Sequence, residues 1–88
     1  MNEKELEEKL KSEGFSGIFI HTDRPGAYYP DHTHHGITAH IVLDGEITVT
    51  SEGKTETFAP GQRFDVPAGA VHSAEVGPSG CRYMIGEK

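Results

Sequence analysis

Cysteine, basic charge and long apolar runs are all scarce in this chain, and each scarcity removes a class of protein. The single cysteine, Cys81, excludes an intramolecular disulfide framework and any CxxC zinc module. Lys and Arg number 8 against 14 Asp and Glu, a net charge of -6. That balance argues against nucleic acid and anionic membranes as partners, because phosphate binding is carried by clustered Lys and Arg. No apolar run approaches the roughly 20 residues of a membrane span. The opening residues Met1-Asn2-Glu3-Lys4-Glu5 are charged and lack the apolar stretch of a signal peptide, so the cytoplasm is the expected location. Length is short too. At 88 residues there is room for one domain, and a chain of this size buries only about 60–65% of its unfolded surface. A domain that small needs a staple, and with no disulfide the candidates are a bound metal or a partner subunit.

What is abundant is turn residues and histidine. Eleven Gly and 5 Pro punctuate the chain, and 6 His is roughly three times the average usage. Residues 2–13 hold the one convincing helix pattern, with Leu6 and Leu10 at i,i+4 and the pairs Glu5/Lys9 and Glu7/Lys11 in the favourable orientation. Gly14 is its expected stop. An apolar stripe two leucines wide predicts a helix that covers a rim rather than a core.

From Phe15 onward the texture is β. Expected strands run over 15–21, 37–43, 46–51, 55–58, 63–66, 71–76 and 81–85. Asp44-Gly45 reads as a hairpin turn, Glu52-Gly53 as a further turn, and Pro78-Ser79-Gly80 as the last. Tyr28-Tyr29-Pro30 reads as loop. Short strands with turns every 8–12 residues predict an all-β sandwich or barrel. The division is a helix over 1–14 packed on a β-barrel over 15–88.

Four histidines fall within the segment from His32 to His40. His32 and His34 are two apart, so in an extended chain both imidazoles reach the same side, close enough to share a metal at about 2.0–2.2 Å. In the strand that follows, Thr38, His40 and Val42 share a face, and Ile37, Ala39, Ile41 and Leu43 share the other. His40 is thereby a further candidate ligand, and His72 can fold back from a later strand. An HxH pair alone is common and carries little; His21 reads as structural and His35 as unassigned. The joint occurrence carries the weight.

Those residues resemble the two sequence motifs of the cupin superfamily, small β-barrels of jelly-roll type. The first motif sets a glycine, five intervening residues and His-x-His, then a glutamate after three or four residues, then a glycine after six more. Gly26, His32, His34 and Gly45 keep that spacing here. The second motif is matched by Gly61, Pro67, Gly69 and His72 without a gap. Two positions depart: the motif glutamate falls on Thr38, and the closing asparagine of the second motif on Val76. The resemblance implies a small single-domain cupin with His32, His34 and His72 as metal ligands; His40 is added from strand parity, as compensation for the missing carboxylate.

Imidazole-rich sites suit divalent transition metals, here Zn, Fe, Ni or Mn. Cupins with three His ligands resemble iron dioxygenases, and the expected function is binding or transformation of a small molecule, by a dioxygenase or isomerase if catalytic. Two other readings stay open: a non-catalytic small-molecule sensing module, and a structural zinc domain in which the ion contributes only folding free energy. Tyr28, Tyr29, Thr38 and Arg63 are candidates for contacting substrate or supporting the ligands, and Asp65 for orienting a neighbour. Ser73 beside His72 lacks the nucleophile elbow of a serine hydrolase. The apolar row Ile37, Ile41 and Leu43 needs a cover that two leucines cannot supply, which predicts a homodimer.

Overall fold

The computed structural model describes residues 2–88. Helix α1 runs Glu3–Ser12, followed by strands β1 (Ser16–Asp23), β2 (Tyr28–His32), β3 (Thr38–Ser51), β4 (Lys54–Phe58), β5 (Arg63–Val66) and β6 (His72–Glu87). All pairings are antiparallel. Strands β3 and β6 are the spine. The N-terminal half of β3 pairs with the C-terminal half of β6, with β5 and β1 on the outer sides; the other halves pair together, flanked by β4 and β2. The all-β jelly-roll expectation with a short N-terminal helix holds.

The expected hairpin at Asp44-Gly45 is absent. Both residues lie inside one long β3, paired with Arg82 and Cys81, and the register shifts on either side of them. The expected turn at Pro78-Ser79-Gly80 likewise lies inside β6. The two irregularities sit against each other: Gly45 has φ 75 and Gly80 φ 80, and the space of a Gly45 Cβ is taken by the Gly80 carbonyl, whose carbon is 2.8 Å away. A dipeptide that favours positive φ serves a bulge as well as a turn. Here it bends two paired strands together, which rolls the sheet. The true two-residue hairpin is Glu52-Gly53, with φ 52 and 79, closing Ser51 onto Lys54. Tyr28-Tyr29-Pro30, expected as loop, belongs to edge strand β2, where a proline breaks no internal ladder.

Helix α1 is well terminated. The Asn2 side chain accepts the Glu5 N–H at 3.1 Å, Glu3 and Glu5 stand in the first turn, and Lys9 and Lys11 in the last. At the other end the Gly14 N–H donates to Lys11 O and the Phe15 N–H to Leu10 O, both at 3.0 Å, with Gly14 at φ 95. This is a Schellman stop, and it drops Phe15 onto Leu10. Leu10, Phe15, Ala39, Ile41 and Met84 then form a buried cluster, joined by the partly buried Leu6, Ile18, Ile37 and Leu43. The helix is therefore a core element, not a rim. Its stripe is completed by Phe15, and of the row Ile37, Ile41 and Leu43 the chain itself buries Ile41, while Ile37 and Leu43 are partly buried. The second cluster, Val42, Ile47, Val49, Ala74, Val76, Cys81 and Tyr83, lies inside the roll. Among the described residues no helix is long and apolar enough to cross a membrane.

Candidate metal centre

The inner face of the roll opens into a cavity of about 130 Å³ lined from both halves of the spine. His32 closes β2 and His72 opens β6, and the two are direct register partners. Their ring centroids are 4.1 Å apart, and His34 stands 5.0 Å from His32 and 5.1 Å from His72. His34 lies in the loop after β2, which is pinned to the turn before β6 by the Gly69 N–H donating to His34 O at 2.9 Å. One ligand nitrogen from each of the three lies within 4.8 Å of the others.

The donor set fits a cation. His32 Nδ1 lies 2.7 Å from Pro30 O, and His72 Nδ1 3.1 Å from Ala70 O. A carbonyl can only accept, so each ring carries its proton on Nδ1 and keeps a free lone pair on Nε2. That arrangement orients an imidazole as a metal ligand. His34 is held below the ordinary histidine range by burial, reinforced by His72 and His32 beside it, and so favours the neutral, ligating form.

The structure does not bring His40 into this group. It lies in mid-β3, opposite Phe64 of β5 and Ile85 of β6. Its ring stacks flat on Phe64, with centroids 4.3 Å apart at 6°, and tilts against Tyr83 at 5.8 Å. It lines the same cavity and is 7% exposed; its Nδ1 has no hydrogen-bond partner within bonding distance among the described residues, and the Phe64 main chain is the polar group beside the ring. Burial pushes its pKa down to about 4, so the ring is neutral. Strand parity put His40 on the right face, but the stacking on Phe64, a contact between distant parts of the chain, holds it as wall rather than as fourth member of the cluster.

The other candidates divide. Tyr29 lines the cavity. Tyr28 does not, and is 63% exposed. Thr38 is buried, its Oγ1 has no partner among the described residues, and the residue lines a neighbouring cleft together with His34. Arg63 is turned away from the cavity: its guanidinium bridges Glu13 at 2.7 and 2.9 Å and Asp65 at 2.8 and 3.0 Å, over the Phe15 ring. It clamps the helix terminus to β5 and is committed to that task. Asp65 pairs with Arg63. His35 is exposed. The Cys81 thiol is buried and pushed up to about 11, which leaves no thiolate nucleophile.

One group escaped the sequence reading. Asp23 accepts the Tyr29 phenol at 2.6 Å and the Tyr83 phenol at 3.2 Å, and lies 2.9 Å from His21 Nε2. Both phenols are pushed above the ordinary tyrosine range, burial being the larger cause for each and Asp23 adding to it. They stay protonated and fix one wall of the cavity. The available signal was the i,i+2 spacing of His21 and Asp23 on β1 opposite Tyr83 and Cys81, masked because Asp23 begins a turn-like run, Asp23-Arg24-Pro25-Gly26.

The chain matches the cupin domain family over residues 19–83. Solved structures of similar fold include a cupin superfamily protein from Desulfitobacterium hafniense, with TM-score 0.72 and 20% identity, covering 80% of this chain and 63% of that one. The cupin domain of Schizosaccharomyces pombe Cnp3 gives TM-score 0.72 at 26% identity, over 81% of this chain and 51% of that one. The DMSP lyase DddQ of Ruegeria pomeroyi gives TM-score 0.74 at 22% identity, over 81% of this chain and 36% of that one. The chain thus spans less than two thirds of the length of each. No curated protein matches it in sequence. The family match covers most of the chain and both histidine motifs: this chain belongs to the cupin family.

Proposed function

We propose that this cupin is a small metal-binding protein. His32, His34 and His72 hold one divalent transition metal ion (Zn, Fe, Ni or Mn) at the cavity, where a small molecule is bound or transformed. The observation that carries the reading is the pair of carbonyl-locked imidazoles, His32 on Pro30 and His72 on Ala70, which turn free Nε2 lone pairs out beside His34. A bound ion supplies Lewis acidity and open coordination positions for an oxygen-donor ligand. Three ligands, not four, favour a binding or catalytic site over a closed structural zinc site. Dioxygenase-like chemistry is the enzymatic form of this proposal, a sensing module the non-catalytic form. For either, the chain's residues supply the same service: Ile47, Val49, Ala74 and Ile85 exclude water, and the phenols of Tyr29 and Tyr83, held by Asp23, keep one wall rigid.

Metal analysis of the chain purified without a histidine tag tests this. One ion per chain, lost in His34→Ala, is the expected result; no stoichiometric metal in the wild type would overturn it. Oxygen uptake in the presence of substrate separates the enzymatic form from the sensing form. The homodimer and the cytoplasmic location belong to the same proposal. Light scattering at micromolar concentration decides the first, and a monomer would count against it.

A further inference from the structure

Two hollow spaces meet at Phe64. The cavity that holds the three-histidine group, about 130 Å³, is lined on one side by that ring, and an open groove of about 190 Å³ bordered by β4 and β5 is lined by it too. Val49 and Phe64 are the residues that the two spaces share. The Phe64 ring is held in a stack of three: His40 lies on it at 4.3 Å and 6°, and Phe58 at 4.5 Å and 28°. A ring packed in that way is a fixed wall rather than a gate. The spaces differ in character. No Lys, Arg, Asp or Glu lines the cavity, whereas the groove carries Lys54, Glu56 and Asp65.

We infer that Phe64, together with Val49, sets the length of ligand that the cavity accepts, and that the ligand class is a short monoanion with an apolar body. This rests on the metal reading above. Three neutral imidazoles leave the charge of a divalent ion uncompensated, so an anionic oxygen is favoured as the ligand's head. A second charge on the ligand finds no basic side chain in the cavity and is disfavoured. His32 and His34 are partly exposed while His40 is buried, so a head held at the histidines directs an apolar body inward, past Ile47, Ala74 and Ile85 to the Phe64 ring. Each methylene taken out of water on that path adds about threefold to fourfold in affinity. A cavity of about 130 Å³ holds about six non-hydrogen atoms, since an apolar protein cavity of about 150 Å³ takes benzene. A longer chain meets the wall and must turn its end back to water, where added methylenes gain nothing.

Acetate, butyrate and hexanoate form a series for the test, each step adding two methylenes. Calorimetric titration into the zinc-loaded full chain is expected to show butyrate binding at least about tenfold more tightly than acetate, and hexanoate no more tightly than butyrate. Phe64→Ala joins the cavity to the groove and is expected to make hexanoate at least about tenfold tighter than butyrate, with zinc stoichiometry unchanged. Val49→Ala, at the other shared position, is expected to move the limit in the same direction, and decides the matter if Phe64→Ala does not fold. The wild-type series stands without either variant. Affinity that keeps rising to hexanoate in the wild type, no gain from acetate to butyrate, or no binding of any acid to the zinc-loaded chain would each overturn the inference while leaving metal binding intact. So would a limit that stays at butyrate in a folded Phe64→Ala. A wild-type chain that takes up no zinc would overturn the metal reading itself and this inference with it.

Discussion

His32 and His72 face each other across the β2–β6 ladder with ring centroids 4.1 Å apart, and each ring is tied by Nδ1 to the main-chain carbonyl two residues before it. The acceptor of each tie is a main-chain carbonyl, so a side-chain substitution at position 30 or 70 does not delete the accepting group. Two imidazoles are pre-oriented before any ion arrives. The third, His34, is positioned through its own carbonyl by Gly69. Affinity for a metal therefore depends on strand register as much as on the histidines.

His72→Ala removes one of the two pre-oriented rings, and metal affinity is expected to fall by at least about a hundredfold, on the scale of lost ligands and their supporting contacts. His35→Ala, on an exposed ring outside the group, is expected to leave affinity unchanged. Competition against a chromophoric chelator measures both. Equal losses in the two variants would show that the site is not the one described.

His40 makes the metal-free fold sensitive to mild acid. Its pKa is about 4 in the folded chain against 6.5 for a free histidine. The unfolded chain thus binds the extra proton first, and stability is full above pH 6.5 and declines as pH falls from 6.5 towards 4. A shift of that size corresponds to at most about 3 kcal/mol. The nearby His34 and His72, and Asp65 on β5, act on the same ring. Urea midpoints of metal-free protein at pH 7 and pH 4.5 should therefore diverge, and the divergence should shrink in His40→Phe. Glu3 and Glu13, held low by Arg82 and Arg63, add to acid sensitivity as pH falls through the ordinary carboxylate range and below it. An unchanged slope in His40→Phe would count against the assignment.

How much of this was legible in the sequence follows from which contacts are local. The alternation over 37–43 placed Thr38, His40 and Val42 on the inner face and Ala39 and Ile41 on the other, and the strand obeys it. Alternation is a property of the strand itself. What His40 does on that face depends on Phe64, 24 positions away along the chain, and no local pattern carries that. Asp44-Gly45 failed as a hairpin for the same reason. Positive φ at Gly45 was legible; the partner that makes it a bulge is Gly80, on β6. Arg63 was legible as a charge, but its commitment to Glu13 requires the helix to dock first.

The glycine pair offers a direct test of that distinction. Gly45→Ala meets both a positive φ of 75 and the Gly80 carbonyl, so a loss of at least about 2 kcal/mol is expected. Gly53→Ala, at φ 79 in an open hairpin with nothing within 4 Å, carries only the backbone strain, about 1 kcal/mol. Thermal denaturation of the two variants ranks them. Equal losses would mean that the contact between the two bends contributes nothing.

Leu10 tests the helix. Fully buried between Phe15, Ala39, Ile41 and Met84, it is expected to cost about 2–5 kcal/mol on truncation to alanine, the range for a buried leucine that leaves a cavity. Leu6, only partly buried on the same stripe, should cost less. If α1 merely shielded a rim, both truncations would fall within the small range of surface substitutions, about 0.5 kcal/mol. Denaturant melts of the two variants distinguish the cases. Metal stoichiometry should be unchanged in both, because Leu10 and the histidine group lie on opposite faces of β3: the leucine packs on Ala39 and Ile41, whereas the cavity takes His40.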